Sequence, residues 1–371
     1  MRGRVSGQAQ FFLTMDIERD LPADHPLRAI KKRCDGILKE MNRDFNAAYS
    51  TIGRPSIPPE QLLKAMLLQA LYSIRSEIQL MQAIHFNLLY RWFVDLGDVA
   101  AWTPESFSTN RERFAEHDLV RKFFDRVVAE AIAEKLASTD HFTVDGTLIQ
   151  SWASLKSLKL RKGAPEPEEK KKEEDDPGNP MVNFHGEKRT NETHVSRTDP
   201  EARLARKGKG KEAKLCHSGH VLMENRNGLI VDVLVDTADG HAERRSAKKM
   251  LKRVKGRHRI RPDTLGADTG YDDGKFLEDL EKQKVTPHVP VRDMGGMPHG
   301  AARKRAWKRM KTKAYAISQW IRKRVEEIYG WCKTVGPLAR TRLVGRWKIL
   351  QEAQITAAAY DLLRMAKLKR A

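Results

Sequence analysis

The stretch "FTVDGTLIQSW", residues 142–152, decides the fold. An Asp-Gly pair between alternating apolar residues is the strongest short-range signal for a tight hairpin turn. A turn at Asp145 and Gly146 would leave two very short strands, and the second would run directly into a charged, low-complexity segment. As one continuous strand, the stretch places Thr143, Asp145 and Thr147 on the same side. We therefore predict a continuous strand that presents the Asp145 carboxylate.

The charge of the chain is strongly basic and locally concentrated. The 371 residues include 69 Lys and Arg against 49 Asp and Glu, a net charge of +20. Residues 244–261 and 303–324 each hold ten Lys or Arg and no acid, which together equals the whole surplus. Such stretches suit a polyanion, because neutralised phosphates release counterions. We expect a nucleic acid partner, although solvated helix faces would give the same pattern.

The cysteines predict a reducing compartment, and the hydropathy of the chain argues against a membrane segment. Cys34, Cys216 and Cys332 lie far apart without ligand-like spacing, which indicates free thiols. The opening residues lack the apolar core of a signal peptide, and no stretch is long and apolar enough for a membrane span. We expect a cytoplasmic protein without a membrane contact.

Residues 1–136 are predicted to be helical. The segment Pro58–Ile74 has leucines and a methionine at helical spacing, and Thr103 followed by Pro104 is typical of a helix start. Several short helices with brief connections fit either a helix-turn-helix DNA-binding bundle or a packing and dimerisation module. The sequence leaves both interpretations open.

Residues 137–371 carry the strand signals. The predicted elements are, in order, strand 141–152, hairpin 220–237 with Asn227–Gly228 at its turn, helix 242–254, strand 263–268, helix 272–283, strand 285–291 and helix 314–333. A hairpin followed by a strand–helix–strand crossover predicts a mixed α/β fold, in which helices flank the sheet.

An insertion, residues 156–215, follows the first strand of this region. Its segment "KGAPEPEEKKKEEDDPGNP" mixes both charges and has no apolar periodicity. That composition is typical of chains that cannot bury enough apolar surface to fold. We expect the insertion to be disordered or poorly packed.

A second carboxylate, Asp268, stands at the end of a predicted strand between Gly266 and Gly270. Ligands bind at the carboxyl ends of strands in open sheets. An Asp in this place is equally typical of the N-cap of a following helix. The position alone leaves both roles open.

A third carboxylate is expected on the last predicted helix. The buried stripe of that helix is formed by Ile321, Val325, Ile328 and Cys332. At about 100° per residue, Arg322, Glu326 and Lys333 fall within about 40° of one another on one flank, and Glu327 falls on the other. A carboxylate between two cations can hold a metal ion while they hold phosphates. A surface salt-bridge cluster is the alternative.

Two Asp and one Glu suit a hard divalent cation such as Mg²⁺ or Mn²⁺, which prefers oxygen ligands. Two such ions can activate an attacking oxygen and stabilise the leaving oxygen of an in-line displacement. Phosphodiester cleavage needs this chemistry. We therefore expect a metal-dependent enzyme that acts on nucleic acid, with two ions in each active site.

A family pattern runs from about Arg54 to Leu363. It is carried by "RPSIPPEQLLKAMLLQALYSIRSEIQLM", "HFTVDGTLIQSWAS", "GEKRTNETHVSRTDPEARL", "GKEAKLCHSGHVLMENRNGLIVD", "LGADTGYD" and "IRKRVEEIYGWCKTVG". On these segments the chain resembles bacterial DDE transposases of the insertion sequence 5 group. The family signature around its glutamate is Tyr, two residues, Arg, three residues, Glu, six residues and Lys. Arg322, Glu326 and Lys333 match it, and Gln319 stands in place of the Tyr.

The resemblance implies that Asp145, Asp268 and Glu326 are the catalytic and metal-binding residues of an RNase H-like domain. Mg²⁺ or Mn²⁺ is the implied cofactor. The implied partner is double-stranded DNA, both as terminal inverted repeats and as target, bound by a homodimer or larger assembly at the bacterial nucleoid. The implied DNA contacts are Arg322, Lys323, Arg324 and Lys333.

The leading hypothesis is a transposase that cuts element ends and joins the freed 3′ ends to target DNA. One rival is an inactive transposase relic that only binds DNA. The other is a metal-dependent nuclease without strand transfer. Joining of cut 3′ ends to a second duplex separates this nuclease from a transposase.

Overall fold

The computed structural model of the chain describes residues 17–369 except 51, 53–55, 98, 162, 164–182, 185–186, 209 and 293–298. Its helices are α1 (Ile17–Asp20), α2 (Pro26–Glu40), α3 (Asn42–Ala48), α4 (Pro59–Leu71), α5 (Glu77–Phe86), α6 (Leu88–Val94), α7 (Pro104–Glu116), α8 (Leu119–Ala133), α9 (Ala242–His258), α10 (Gly274–Lys282), α11 (Ala301–Arg309), α12 (Lys313–Arg322), α13 (Arg324–Thr334) and α14 (Arg346–Leu368). Its strands are β1 (His141–Gln150), β2 (Leu158–Leu160), β3 (Asn183–Phe184), β4 (Glu187–Lys188), β5 (His194–Ser196), β6 (Arg203–Ala205), β7 (Lys214–Glu224), β8 (Ile230–Thr237), β9 (Thr264–Gly266) and β10 (Thr286–His288).

The main sheet is mixed and centred on β1. Its order is β10, β9, β1, β7, and both β6 and β8 pair with β7. β7 runs antiparallel to β1, whereas β9 runs parallel to β1 and β10 runs parallel to β9. A hairpin on one side of a central strand and two crossover strands on the other make this an RNase H-like sheet. The predicted α/β class is confirmed.

The first strand is continuous, as predicted. Asp145 and Gly146 lie in the middle of β1 and pair with Val221 and His220 of β7. The turn lies instead at Asn227–Gly228, between β7 and β8, where Gly228 has a φ of +73°. Glycine adopts this left-handed conformation without the steric cost of a side chain.

The predicted disorder of residues 156–215 is wrong for the part that the structure describes. β2 pairs with β5, and β6 extends the main sheet along β7. Asp199, which is fully buried, accepts hydrogen bonds from Ser151 Oγ at 2.7 Å and from His217 Nε2 at 2.8 Å. These buried polar contacts come from distant parts of the sequence, so local composition did not reveal them. Residues 164–182, which contain most of the low-complexity run, lie outside the described residues.

The predicted helix 314–333 is two helices. α12 ends at Arg322 and α13 begins at Arg324, so the two flanking cations of the predicted cluster stand on different helices. Val325, Ile328 and Cys332 are buried as predicted, whereas Ile321, the fourth residue of the predicted stripe, is only partly buried. The sequence analysis missed α14, which is buried around most of its circumference and therefore lacks the polar face that a periodicity search needs.

The helical region and the sheet share one hydrophobic core. Helix α14 packs against α2, α4 and α8 and also against β8. The core continues from Leu27 in α2 through the sheet to Ala366 in α14. The predicted helix start at Thr103 is confirmed, since its side chain accepts a hydrogen bond from the Ser106 amide at 3.2 Å.

The three cysteines are buried free thiols, in agreement with the sequence analysis. None of the helices in the described ranges combines the length and the apolar character that crossing a membrane requires.

Candidate active site

The strand register places two aspartates at the same level of the sheet. Thr143 of β1 pairs with Gly266 of the parallel strand β9. Asp145 lies two residues after Thr143 on β1, and Asp268 lies two residues after Gly266, just beyond the carboxyl end of β9. This register brings together two carboxylates that are more than a hundred residues apart in the sequence.

Asp145 is a largely buried carboxylate in a negative environment. Burial raises the pKa of its carboxyl to about 6, and the carboxylates of Asp268 and Glu326 act in the same direction. The Gly146 amide, which donates to Asp145 Oδ1 at 2.8 Å, opposes this shift. Arg322 also opposes it, with its Nη1 at 3.8 Å from Asp145 Oδ2. A divalent cation would neutralise this charge more fully than one distant guanidinium.

Asp268 caps a short 3-10 helix, Thr269–Tyr271, through the Gly270 amide, which donates to Asp268 Oδ1 at 2.9 Å. The capping role that the sequence left open is therefore real. The cap engages only Oδ1, and within the described ranges no residue donates a hydrogen bond to the second oxygen, which a ligand can therefore use.

A further carboxylate, Glu243, was missed by the sequence analysis. It stands in the first turn of α9 and lines the same cavity as Asp145 and Asp268. Burial raises the pKa of the Glu243 carboxyl, and the carboxylates of Asp268 and Asp145 act in the same direction. Glu243 is the only acid among residues 242–261. A single acid at the N-terminal end of a basic helix stands out in the sequence, but only the fold shows that this end of α9 lies beside Asp268.

Glu326 lies in the first turn of α13, next to Glu327, and both side chains are exposed. The Glu326 carboxylate is near enough to raise the pKa of Asp145. It does not line the cavity that Asp145, Asp268 and Glu243 share. The structure thus brings together the two predicted aspartates and leaves the predicted glutamate at the edge of the site.

Gln319 and Arg322 of α12 connect the last helices to the strand ends. Gln319 Nε2 donates to the carbonyl oxygens of His288 at 2.6 Å and Ala267 at 3.2 Å. Its Oε1 accepts from Arg322 Nε at 3.1 Å. The residue that departs from the family signature therefore orients the arginine that faces Asp145.

Two side chains of α13 fasten it to β1. Tyr329 Oη donates to the Asp145 carbonyl at 2.6 Å, and Lys333 Nζ donates to Thr147 Oγ1 at 2.6 Å and to the Leu148 carbonyl at 3.1 Å. Lys333 also lines the cavity, where Lys207 from the insertion joins it.

The remaining predicted DNA contacts differ in their surroundings. Lys323 is exposed. Arg324 donates to the carbonyl oxygens of Asn225 at 3.5 Å and Arg226 at 2.9 Å. Its guanidinium thus already holds the turn of the β7–β8 hairpin to α13.

The two basic stretches are partly neutralised within the protein. In α9, the cations with carboxylate partners are Arg245, Lys248, Lys249, Arg253 and Arg257. In α11 they are Arg303, Arg305 and Arg309. These residues hold the helices on the fold, so only part of the predicted surplus is free to meet a polyanion.

The cavity has a volume of about 580 Å³ and offers oxygen donors that fit a hard divalent cation. A Cβ atom added to Gly270 would lie 2.6 Å from Glu243 Oε2 and 3.0 Å from Asp268 Oδ1. The glycine therefore leaves room between two carboxylates that any other residue would fill. Within the described residues, no three His, Cys, Asp or Glu side chains already form a complete ligand set around one point.

Two family models match the chain. The Transposase domain (DUF772) matches residues 15–113, and the Transposase DDE domain matches residues 189–362. The chain belongs to the DDE transposases. Asp268, Glu326 and Glu243 lie inside the matched DDE range, and Asp145 precedes it.

Solved structures similar to this transposase are themselves transposase–DNA complexes. A piggyBac transposase synaptic complex with hairpin DNA shares 10% identity and a TM-score of 0.40, over 93% of this chain and 76% of that one. A Mos1 transposase paired-end complex with the left transposon end shares 11% identity and a TM-score of 0.20, over 81% and 85%. Scores this low add nothing to the fold, which rests on the strand order. Among curated proteins, none matches the chain.

The transposase is an enzyme that cuts and joins DNA with the help of divalent metal ions. Its substrate explains why both carboxylates and the cations Lys207 and Lys333 line the cavity. The carboxylates suit the metal ions, and the cations suit the phosphates of bound DNA.

Proposed function

We propose that this transposase belongs to the insertion sequence 5 group, binds the inverted repeats at the ends of its element and moves that element to a target duplex. The proposal is carried by the strand register that places Asp145 of β1 and Asp268, just after β9, at the same level, because two adjacent carboxylates fit the family's metal chemistry. The match of Arg322, Glu326 and Lys333 to the family signature supports it further.

Asp145 and Asp268 would hold two ions, Mg²⁺ or Mn²⁺, and Glu326 would complete the shell of one of them. When bound, the ions activate the attacking oxygen and stabilise the leaving oxygen of an in-line displacement. Glu326 is exposed at the edge of the site, so its side chain is free to turn inward.

The reaction has two displacements at phosphorus. In the first, water attacks a phosphodiester, the bond to the 3′ oxygen breaks, and that oxygen takes up a proton as the 5′ side keeps the phosphate. In the second, the freed 3′ hydroxyl loses its proton and attacks a target phosphodiester, which releases a target 3′ hydroxyl. Arg322 and Lys333 would hold the backbone phosphates in line, with Lys323 as an outer contact.

The resemblance to transposases that act on paired element ends implies that at least two copies of the chain act together on DNA. Paired ends need two active sites, and a homodimer supplies them with one interface. Arg324, which holds the hairpin turn, is proposed to contact DNA only together with that turn.

The test is nicking and joining of a linear duplex that bears the element's own ends, with Mg²⁺ or Mn²⁺. Glu326→Gln is expected to lower both steps by roughly 100-fold or more, the scale of losing one charged group that acts on the transition state. Glu327→Gln, the exposed neighbour on the same helix, is the matched control and should keep full activity.

Equal loss in both variants would remove Glu326 from the site. Cutting without any joining of 3′ ends to a second duplex would replace the transposase with a nuclease. End binding without cutting by the unaltered protein would favour the inactive relic.

A further inference from the structure

Glu243 is a half-buried carboxylate that forms no ion pair with a cation of the described residues. Among the described residues, its side chain takes part in no hydrogen bond or ion pair. The adjacent Arg245 is engaged by Asp236 and Asp239. Arg244 opposes the rise in the pKa of Glu243 but directs its guanidinium to the Gly270 and Gly240 carbonyls.

The position of Glu243 relative to Asp268 is fixed by the backbone around Gly270. Glu243 Oε2 and Asp268 Oδ1 both lie within 3.0 Å of the point that a Gly270 side chain would occupy. On the other side, Glu243 Cγ lies 3.3 Å from the corresponding point at Gly146, the residue after Asp145. Glu243 therefore packs its methylene groups against β1 beside Asp145, and its carboxylate lies next to that of Asp268 in the cavity that all three line.

Three carboxylates in one cavity repel each other, and burial increases the repulsion because the local dielectric constant is lower than in water. A protein keeps such an arrangement when a multivalent cation neutralises it, since buried charges are paired or coordinate metals. The absence of a side chain at Gly270 leaves the necessary space between the carboxylates of Glu243 and Asp268.

We propose that Glu243 is a fourth carboxylate of the catalytic metal site and ligates the ion that Asp268 holds. This inference rests on the proposed function, because it concerns the same ions. α9 and α13 both contact β1, so Glu243 and Glu326 approach Asp145 from two different helices. Glu243 is present in the cavity before DNA arrives, whereas Glu326 joins from its edge.

The experiment measures Mn²⁺ binding to the DNA-free protein by calorimetry and by the electron paramagnetic resonance signal of bound Mn²⁺. Glu243→Gln is expected to raise the Mn²⁺ dissociation constant by roughly tenfold or more. The metal-free variant is expected to melt at the same temperature as the unaltered protein or higher, because one repelling charge is gone. Saturating Mn²⁺ should then stabilise it less than it stabilises the unaltered protein.

Asp239→Asn is the matched control, since Asp239 lines the same cavity but already pairs with Arg245. Its Mn²⁺ affinity should stay unchanged. Gly270→Ala supplies a second route, because its methyl group would occupy the space between Glu243 and Asp268 and should weaken Mn²⁺ binding to a similar extent.

Mn²⁺ affinity that is unchanged in Glu243→Gln, with the unaltered protein binding normally, would overturn this inference and leave the proposed function intact. If the unaltered protein bound no Mn²⁺, the inference and the metal site of the proposed function would both be overturned. Loss of affinity in Asp239→Asn to the same degree would show that any negative charge in the cavity suffices, which would also overturn the specific role of Glu243.

Discussion

Glu352 of α14 is an acid whose ionisation opposes folding. Its Oε2 accepts a hydrogen bond from Thr341 Oγ1 at 2.8 Å. Burial raises the pKa of its carboxyl from 4.5 to about 7, and this bond opposes the shift only in part. The folded protein therefore holds a proton there between pH 4.5 and 7 that the unfolded chain has released.

Glu352→Gln is therefore expected to stabilise the protein at pH 8 and to change little near pH 4.5. Because the folded-state pKa is raised, the stability of the unaltered protein falls as pH rises through that window and stays lower above it. The gain at pH 8 is up to about 3 kcal/mol, from roughly two to three pKa units. Urea unfolding of both proteins at the two pH values measures it.

Glu327→Gln is the control for this comparison, since Glu327 is exposed and its difference from the unaltered protein should be small at both pH values. A gain for Glu352→Gln of the same size at pH 4.5 and pH 8 would mean that better packing, and not the proton, is responsible.

At the scale of single residues, the aspartates were predictable and Glu243 was not. Asp145 lies within a strand and is marked in the sequence by side-chain alternation, whereas Asp268 is marked by its position after a strand end. Glu243 becomes significant only through the turn at Gly270, which no local pattern predicts. The hydrogen bonds of Gln319 to Ala267 and His288 likewise could not be predicted, because they form only once the fold brings the ends of β9 and β10 beside α12.

At the scale of elements, local signals predicted the hairpin, the crossover and the helix starts. The prediction for the insertion was wrong because its short strands are held by contacts between residues that are distant in the sequence. Ser151, Asp199 and His217 meet in the interior although they belong to three separate segments. The break between α12 and α13 was also not predicted, because the apolar stripe continues through it and no Pro or Gly marks it in the sequence.

The role of this buried cluster can be tested with Asp199→Ala. The change leaves Ser151 and His217 buried without their acceptor, which is expected to cost about 3 kcal/mol and to release residues 187–208 from the sheet. Hydrogen exchange followed by mass spectrometry should show fast exchange in that segment, with α10 still protected.

Glu192→Ala is the matched control, because Glu192 is an exposed acid of the same segment. Its exchange pattern should resemble that of the unaltered protein. Free exchange of residues 187–208 before any substitution would show that the cluster does not hold this segment.

At the scale of the whole molecule, the helical region and the sheet are joined through α14. The boundary predicted near residue 136 separates the elements along the chain, but α4 and α8 pack on the same helix as β8. Deleting residues 1–135 would therefore remove the helices that cover α14 and expose its apolar surface to solvent. A loss of DNA binding after such a deletion would report unfolding as readily as a missing DNA reader.

We expect the chain to unfold as one cooperative unit. Leu67→Ala, in the fully buried middle of α4, should cost about 2–5 kcal/mol by leaving a cavity. Because the core is continuous, peptides from α4 and from β7 should lose hydrogen-exchange protection at the same lowered temperature. Ile78→Ala on α5 removes a side chain that is 59% exposed and should leave both transitions in place. Earlier loss of protection in α4 than in β7 would instead establish two independently folding domains, and the deletion of residues 1–135 would then become a valid test of DNA reading.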